Sequence, residues 1–551
     1  MEYESKHLDH LGIVAASCDE IGIVEEIDKA IPPDPRQRLT VGECVKAMVI
    51  NGLGFASRPL SLTPQFFSNK PLEILIKPGI KADHLNDDVL GRAMDAVYEF
   101  GCTTLFSRIA YRAIEKFEID TSCQHLDTTV MQVHGEYTNQ AEIDPWTGDE
   151  GQTLISFGRP KDGNQSLKQY LISMIVTNDG GIPMLAETIA GNKSDKKHFR
   201  ETLKKLKKEL KDNDQETYHI ADSELYTEPN LPELVSSGIK FITHVPAKIK
   251  ETERLKLAVK KSEMNKLRKG YWGYELCSIY AGVAQRWLMV YSDQAYKREY
   301  TTLKKAIKKE QEKISKALYK LKAQAFSCEK DAIKAARKII GSSKFHSIKT
   351  YEIKSKNTKT GKGRPSADTE VKKEYRIQAG AKLSISKIKK ARSLKGKFVL
   401  ATNDLEVNKQ GEYKLCSEEF LDLYKDQQQV ERGFRFLKSP LCMTEATFLK
   451  KAERIVVLGM LMCLCLIVYA IPQRQLRKRL VETDKTIPNQ INQEKQNPTL
   501  RWIFQIFEGV EILYKNLNNQ TEMLVLNLDN LRKKILELLG FQYQKIYLCT
   551  S

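Results

Sequence analysis

At 551 residues the chain is too long for one ordinary domain, and 41% hydrophobic with 29% charged side chains gives enough apolar material for a sizeable core. The formal charge of +18 points to polyanionic partners. Eleven cysteines without a CxxC pair argue against both a disulfide framework and a zinc ribbon, and for a reducing, cytoplasmic setting.

The first ten residues, MEYESKHLDH, carry acids where a secretory signal would carry a basic region and an apolar run, so no export is expected. Residues 1–120 read as a separate helical domain for DNA binding or dimerisation. LTVGECVKAMVINGLGF and NDDVLGRAMDAVYEFG repeat apolar residues at three- and four-residue steps behind the caps Thr40 and Asn86. Acidic residues outnumber basic ones there, which disfavours a surface that clamps a nucleic-acid backbone.

From about residue 120 the period changes to two. HLDTTVMQVHG, LKQYLISMIVTNDGG and PMLAETIAGN read as a three-strand meander with a turn at Asn178-Asp179-Gly180-Gly181. An amphipathic helix, DKKHFRETLKKLKKEL, follows, and then strand TYHIAD, a short helix and strand KFITHVP. Residues 121–246 thus form the first part of an α/β core.

Residues 247–396 break that rhythm and read as a basic inserted α+β subdomain. It holds the strand pair YELCSIYAG and QRWLMVYSD, a Lys-rich helix with Leu303, Ile307, Ile314, Leu318 and Leu321 at heptad-like steps, a second helix, and the polar loop KNTKTGKGRPSADTEVKK. Most of the chain's positive excess lies in 301–400, which marks this window as the nucleic-acid face. Residues 397–474 return to the core through strand KFVLATN and one long helix, SEEFLDLYKDQQQVERGFRFLK. Ile455–Ile471 carries no charge and has basic flanks on both sides, which fits a helix buried on all sides better than a membrane span. Residues 475–551 form a C-terminal segment with two apolar-periodic runs of unassigned role.

Three carboxylates stand in contexts that suit phosphoryl transfer. Alternation places Asp127 on the face opposite Leu126 and Thr128, Asp222 closes a strand, and strand-end side chains can converge on oxygen-liganded Mg2+. On a helix, Tyr424, Glu431 and Lys438 are seven residues apart and fall on nearly one line, with Arg435 on the same stripe. Such a row can bring one carboxylate to metal while its cations hold flanking phosphates. Trp272 and Trp287 are candidates for stacking on an unpaired base.

These residues carry a resemblance. Tyr424-x2-Gln427-x3-Glu431-x6-Lys438 is similar to the Y-R-E-K signature of bacterial insertion-sequence transposases of the DDE class, with Gln427 where the signature has Arg and Lys425 or Arg432 as substitutes. HLDTT, FITHVP and QVERGFRFLKSP resemble blocks of the same group. The resemblance implies an RNase-H-like mixed sheet flanked by helices, with Asp127, Asp222 and Glu431 as the catalytic and metal-holding residues. Tyr424, Gln427, Arg432, Arg435 and Lys438 would contact DNA. It further implies two Mg2+ ions, with Mn2+ able to replace them. The activity would be strand cleavage at the element's ends followed by transfer of the 3′-hydroxyl into target DNA. The partners are then double-stranded DNA (terminal inverted repeats and target) and a second copy of the chain in a homodimer or larger assembly, at the nucleoid of a prokaryotic cell and with no membrane. The alternative is an inactive or domesticated DNA-binding protein of the same fold.

Overall fold

Capping chemistry starts the N-terminal helices where the sequence places them. The computed structural model describes residues 2–55, 59–133, 137, 154–158, 166–192, 217–359, 371–438, 449, 451–517 and 520–548. Strand β1 (Glu2–His7) is followed by α1 (Leu11–Ile21), α2 (Val41–Leu53), α3 (Asp87–Phe100) and α4 (Cys102–Lys116). At α2 the Glu43 N–H donates to Thr40 Oγ1 at 3.1 Å and the Thr40 N–H donates to Glu43 Oε2 at 2.8 Å, a reciprocal cap. At α3 the Val89 N–H donates to Asn86 Oδ1 at 3.0 Å.

Two compact units make up the chain: Met1–Thr243 with Ala281–Val283 and Phe420–Ser551, and His244–Tyr280 with Ala284–Glu419. In the first unit, β2 (Cys123–Val133), β3 (Lys168–Thr177) and β4 (Pro183–Ala190) are antiparallel neighbours. Strands β5 (Tyr218–Ala221) and β6 (Lys240–His244) add to the other edge of β2 in parallel. The resulting order, β4-β3-β2-β5-β6, is the mixed RNase-H-like sheet that the strand and helix sequence predicts. Nine of the ten β3 residues are buried, as expected of a strand covered on both faces.

Helices α5 (Ser417–Lys425), α6 (Gln428–Leu437) and α7 (Ala452–Glu482) complete the core. The uncharged run forms the first half of α7, and 89% of its most apolar window is buried. Among the described residues α7 is the one helix long and apolar enough to cross a membrane; here it is the axle of the core. Ile172, Met174 and Val176 on one face of β3 share a cluster with Leu461, Leu464 and Ile467 of α7, and Val45, Val97 and Leu105 of the N-terminal helices join it. Polar ties fix the helix along its length. Arg454 grips Asp95 of α3 through two bonds of 2.7 and 2.8 Å, and Arg474 holds Asp179 in the β3–β4 turn. Gly459 permits the closest approach, since a Cβ there would lie 2.4 Å from Thr188 Oγ1.

The C-terminal segment, unassigned from sequence, returns to the start of the chain. After α8 (Leu500–Ile506), β7 (Glu511–Leu517) pairs with β1 on one side and with β8 (Gln520–Leu526) on the other. Helices α9 (Asn530–Leu539) and α10 (Phe541–Leu548) follow, and Tyr543 and Tyr547 of α10 are fully buried, with the Tyr547 hydroxyl donating to the Asp9 carbonyl.

The second unit is built differently. Its strands Lys397–Thr402, Val283–Ser292, Tyr271–Tyr280 and Asn265–Arg268 are successive neighbours. The expected Lys-rich helix spans Asp293–Ala323, and Glu329–Gly341 follows it. A small cluster of Ile314, Leu318, Leu321, Ala332, Ala336, Ile340 and Ile377 holds these helices against the hairpin His346–Lys359/Val371–Leu383. That hairpin takes up both flanks of what reads as a polar loop; residues 360–370 lie outside the described residues. The amphipathic helix expected after residue 195 also lies outside them.

Candidate active site

Strand register brings two of the carboxylates together. The last registered pair of the parallel strands β2 and β5 is Leu126 with Ala221, so the next position on each chain is an aspartate, Asp127 and Asp222. Neighbouring strands lie about 4.8 Å apart. Backbone amides orient both groups: the Thr128 N–H donates to Asp127 Oδ1 at 2.7 Å, and the Glu224 N–H to Asp222 Oδ1 at 2.8 Å. The Thr243 hydroxyl anchors the Asp222 carbonyl at 2.8 Å.

Helix α6 supplies the third carboxylate. Glu431 is exposed and lines, with Asp127, a cleft of about 520 Å³ whose other walls are Thr128, Thr129, Phe434, Arg435 and Lys438. Tyr424 lies within the electrostatic reach of both Asp222 and Glu431. Burial pushes its hydroxyl up to about 12, and the charges of Asp222 and Glu431 push it the same way. One phenol therefore feels both carboxylates. At neutral pH it stays protonated, a hydrogen-bond donor rather than a nucleophile.

The single long helix expected over 417–438 is in fact two. The Gln427 N–H bonds to the Tyr424 carbonyl at 3.3 Å, a tighter turn than α-helical, and α6 restarts with the Glu431 N–H on the Gln427 carbonyl at 3.4 Å. A long-range contact accompanies the break. Buried His125 of β2 bonds Asn178 Oδ1 through Nε2 at 3.1 Å, and Asn178 Nδ2 donates to Asp426 Oδ2 at 3.2 Å. Sequence reasoning took Asn178 only as a turn residue. Its position two residues after the register partner of His125 is the signal that could have found the contact.

The other expected DNA contacts separate into two groups. Arg435 and Lys438 stand in the cleft with Glu431, while Gln427 sits at the helix junction. Arg432 faces away, because a step of 100° around the helix carries it to another cleft. Trp287 is 2% exposed and donates to Gln285 Oε1 at 3.1 Å, which removes it as a stacking surface; Trp272 is half-buried against Tyr291.

Among the described residues no three His, Cys, Asp or Glu side chains form a preassembled metal cluster. The donor chemistry nevertheless fits a hard divalent cation. Asp127, Asp222 and Glu431 offer only carboxylate oxygens, and Mg2+ is usually held by one or two carboxylates with water and substrate phosphate completing its shell. A site of this kind is completed by its substrate.

The fold is a mixed sheet with two aspartates at adjacent register positions and a glutamate on the covering helix, and comparison with known sequences names the family. The transposase DDE domain matches residues 120–468, and a domain of unknown function (DUF4277) matches residues 3–111. The chain belongs to the DDE transposase family, so its reaction class is DNA transposition. No curated protein matches the sequence. Among solved structures, a piggyBac transposase synaptic complex with hairpin DNA aligns over 86% of this chain and 77% of that one, at 9% identity and a TM-score of 0.34, a likeness too weak to argue from.

Proposed function

We propose that the protein cuts DNA at the ends of a mobile element and transfers the freed 3′-hydroxyl to target DNA, using Asp127, Asp222 and Glu431 as its metal-holding carboxylates. The observation that carries this reading is that adjacent register sets Asp127 beside Asp222, and that Glu431 shares a cleft with Asp127. Bound divalent cations would supply an activated water or 3′-hydroxyl and a stabilised leaving oxygen.

The chain's own residues do the rest. Arg435 and Lys438 sit on the Glu431 face of α6, where they hold the phosphates flanking the scissile bond through charge-assisted bonds. Tyr424, protonated and half-buried, donates to a phosphate oxygen or supports a base, and Gln427 takes the place of the signature arginine with a neutral amide. The His125–Asn178–Asp426 chain sets the angle at which α6 leaves α5, and so positions Glu431. The basic second unit tracks the DNA backbone. Joining two element ends calls for at least two copies of the chain.

Asp127→Ala, Asp222→Ala and Glu431→Ala should each lower cleavage of an element-end duplex by at least about a thousandfold, while affinity for that duplex changes less than about threefold. Cleavage that survives in all three variants would overturn the assignment. Equal loss of cleavage and binding would favour the alternative, a DNA-binding protein without turnover.

A further inference from the structure

Helix α6 separates two clefts. Behind it, on the face away from Glu431, lies a larger one of about 1000 Å³, walled by the β3–β4 turn, the second half of α7 and the segment before α8. Its charged lining is Arg432, Arg474, Arg477 and Lys478 against Asp179 and Glu482.

These charges do not cancel internally. Arg474 is spent on structure, since it binds Asp179 and donates to the Phe117 and Glu118 carbonyls at 3.0 and 3.2 Å. Arg432, Arg477 and Lys478 make no ion pair with any described residue. Arg477 is the unusual one. It is half-buried, its Nε donates to the Pro498 carbonyl at 2.8 Å, and among the described residues no carboxylate forms an ion pair with it. Burial lowers its pKa from the ordinary value, Tyr469 works against that shift, and the neighbouring Arg432 adds to it. Two guanidiniums that repel each other across a concave wall are costly unless an anion joins them.

We propose that this cleft binds a phosphate group of the DNA backbone between the Arg432 and Arg477 guanidiniums, with Lys478 at its mouth. The ligand chemistry is a phosphate with forked donors on two sides, the geometry for which arginine is suited. A helix is about 10–12 Å across, so a phosphate in this cleft and one at Glu431 lie on opposite sides of α6. Helix α6 would then be straddled by one strand. This inference rests on the reading of the protein as a DNA-cutting enzyme.

The test uses the full chain and a labelled duplex titrated across a range of salt. The Arg432→Gln/Arg477→Gln pair should lose about tenfold in affinity, and the slope of log K against log salt should become shallower by about 0.9, the share of one phosphate. Arg432→Gln alone, at an exposed position, should show part of the loss with an unchanged melting temperature, which separates the effect from misfolding. The same loss must appear in an Asp127→Ala background; if cleavage persists in that background, the catalytic reading fails while this site stands. In a second arm, inorganic phosphate is compared with chloride at equal ionic strength for its effect on melting. Stabilisation of the wild type but not the double variant, with an unchanged DNA salt slope, would assign the cleft to free phosphate and overturn the DNA-backbone proposal. No change in either arm overturns the site altogether.

Discussion

The two units solve opposite problems. The first buries the uncharged run of α7, Ile455–Ile471, inside a continuous apolar cluster that runs from the N-terminal helices through the sheet to α10. The second spends few apolar residues, holding a 31-residue helix by a cluster of seven buried side chains and leaving Lys304, Lys305, Lys308, Lys309, Lys313 and Lys316 exposed along it. The difference teaches where precision is needed. Carboxylates that share a metal site must be fixed within fractions of an ångström, and close packing provides that. A surface that follows a polyanion needs charge and reach more than rigidity.

The largest effect on DNA binding should come from the charged unit. Lys305→Gln, Lys308→Gln, Lys309→Gln and Lys316→Gln together should weaken duplex binding by about a hundredfold at physiological salt and flatten its salt dependence, with no change in melting temperature. A shifted melting temperature with unaltered affinity would reverse the roles given to the two units. Next comes packing in the first unit. Gly459→Ala drives a Cβ towards Thr188 Oγ1 and should cost about 1–3 kcal/mol in denaturant unfolding, with Thr188→Ala recovering part of it. Recovery by Thr188→Ala is the sharp part, because a general helix-propensity effect would go the other way.

The smallest effect is on pH. Burial lowers the His10 pKa to about 4, although its bond to the Leu53 carbonyl and the charge of Asp9 pull it upwards. The unfolded histidine titrates near 6.5. Between these values the unfolded chain takes up a proton that the folded chain refuses, so stability is full above about pH 6.5 and declines as pH falls towards 4. Unfolding midpoints should drop by the equivalent of about 2 kcal/mol between pH 7 and pH 5. His10→Gln should flatten that dependence. A decline of equal size in the variant would place the sensitive group elsewhere.

Much of the core could be read from the chain because its signals are local. Strand alternation and the Asn-Asp-Gly-Gly turn specify the meander, and the uncharged run of α7 allows only burial or a membrane. Asp222 was legible as a strand end, whereas Asp127 lies inside β2, which runs on to Val133, and their neighbourhood needs the register of Leu126 with Ala221. What stayed hidden depends on distant partners. Nothing between Ser417 and Lys438 breaks helical periodicity, since the run has no proline and its only glycine is Gly433; the break at Asp426–Gln427 is accompanied by a bond from Asn178, about 250 residues earlier. The second cleft was equally invisible. Arg432 and Arg477 belong to different helices, and on a helical wheel each looks like an ordinary surface cation.

The insertion lies between Asp222 and Glu431 in the chain, so a ribosome making this protein releases both aspartates well before the glutamate. At about 5–20 residues per second, roughly 200 residues correspond to about 10–40 s during which the nascent polypeptide has two of its acids and no complete set. Closure of the β1–β7 pair takes longer still, because Glu511–Leu517 must emerge first. Under the proposed assignment the chain holds its full set of carboxylates only once translation has passed Glu431, a timing set by the order in which its residues are written.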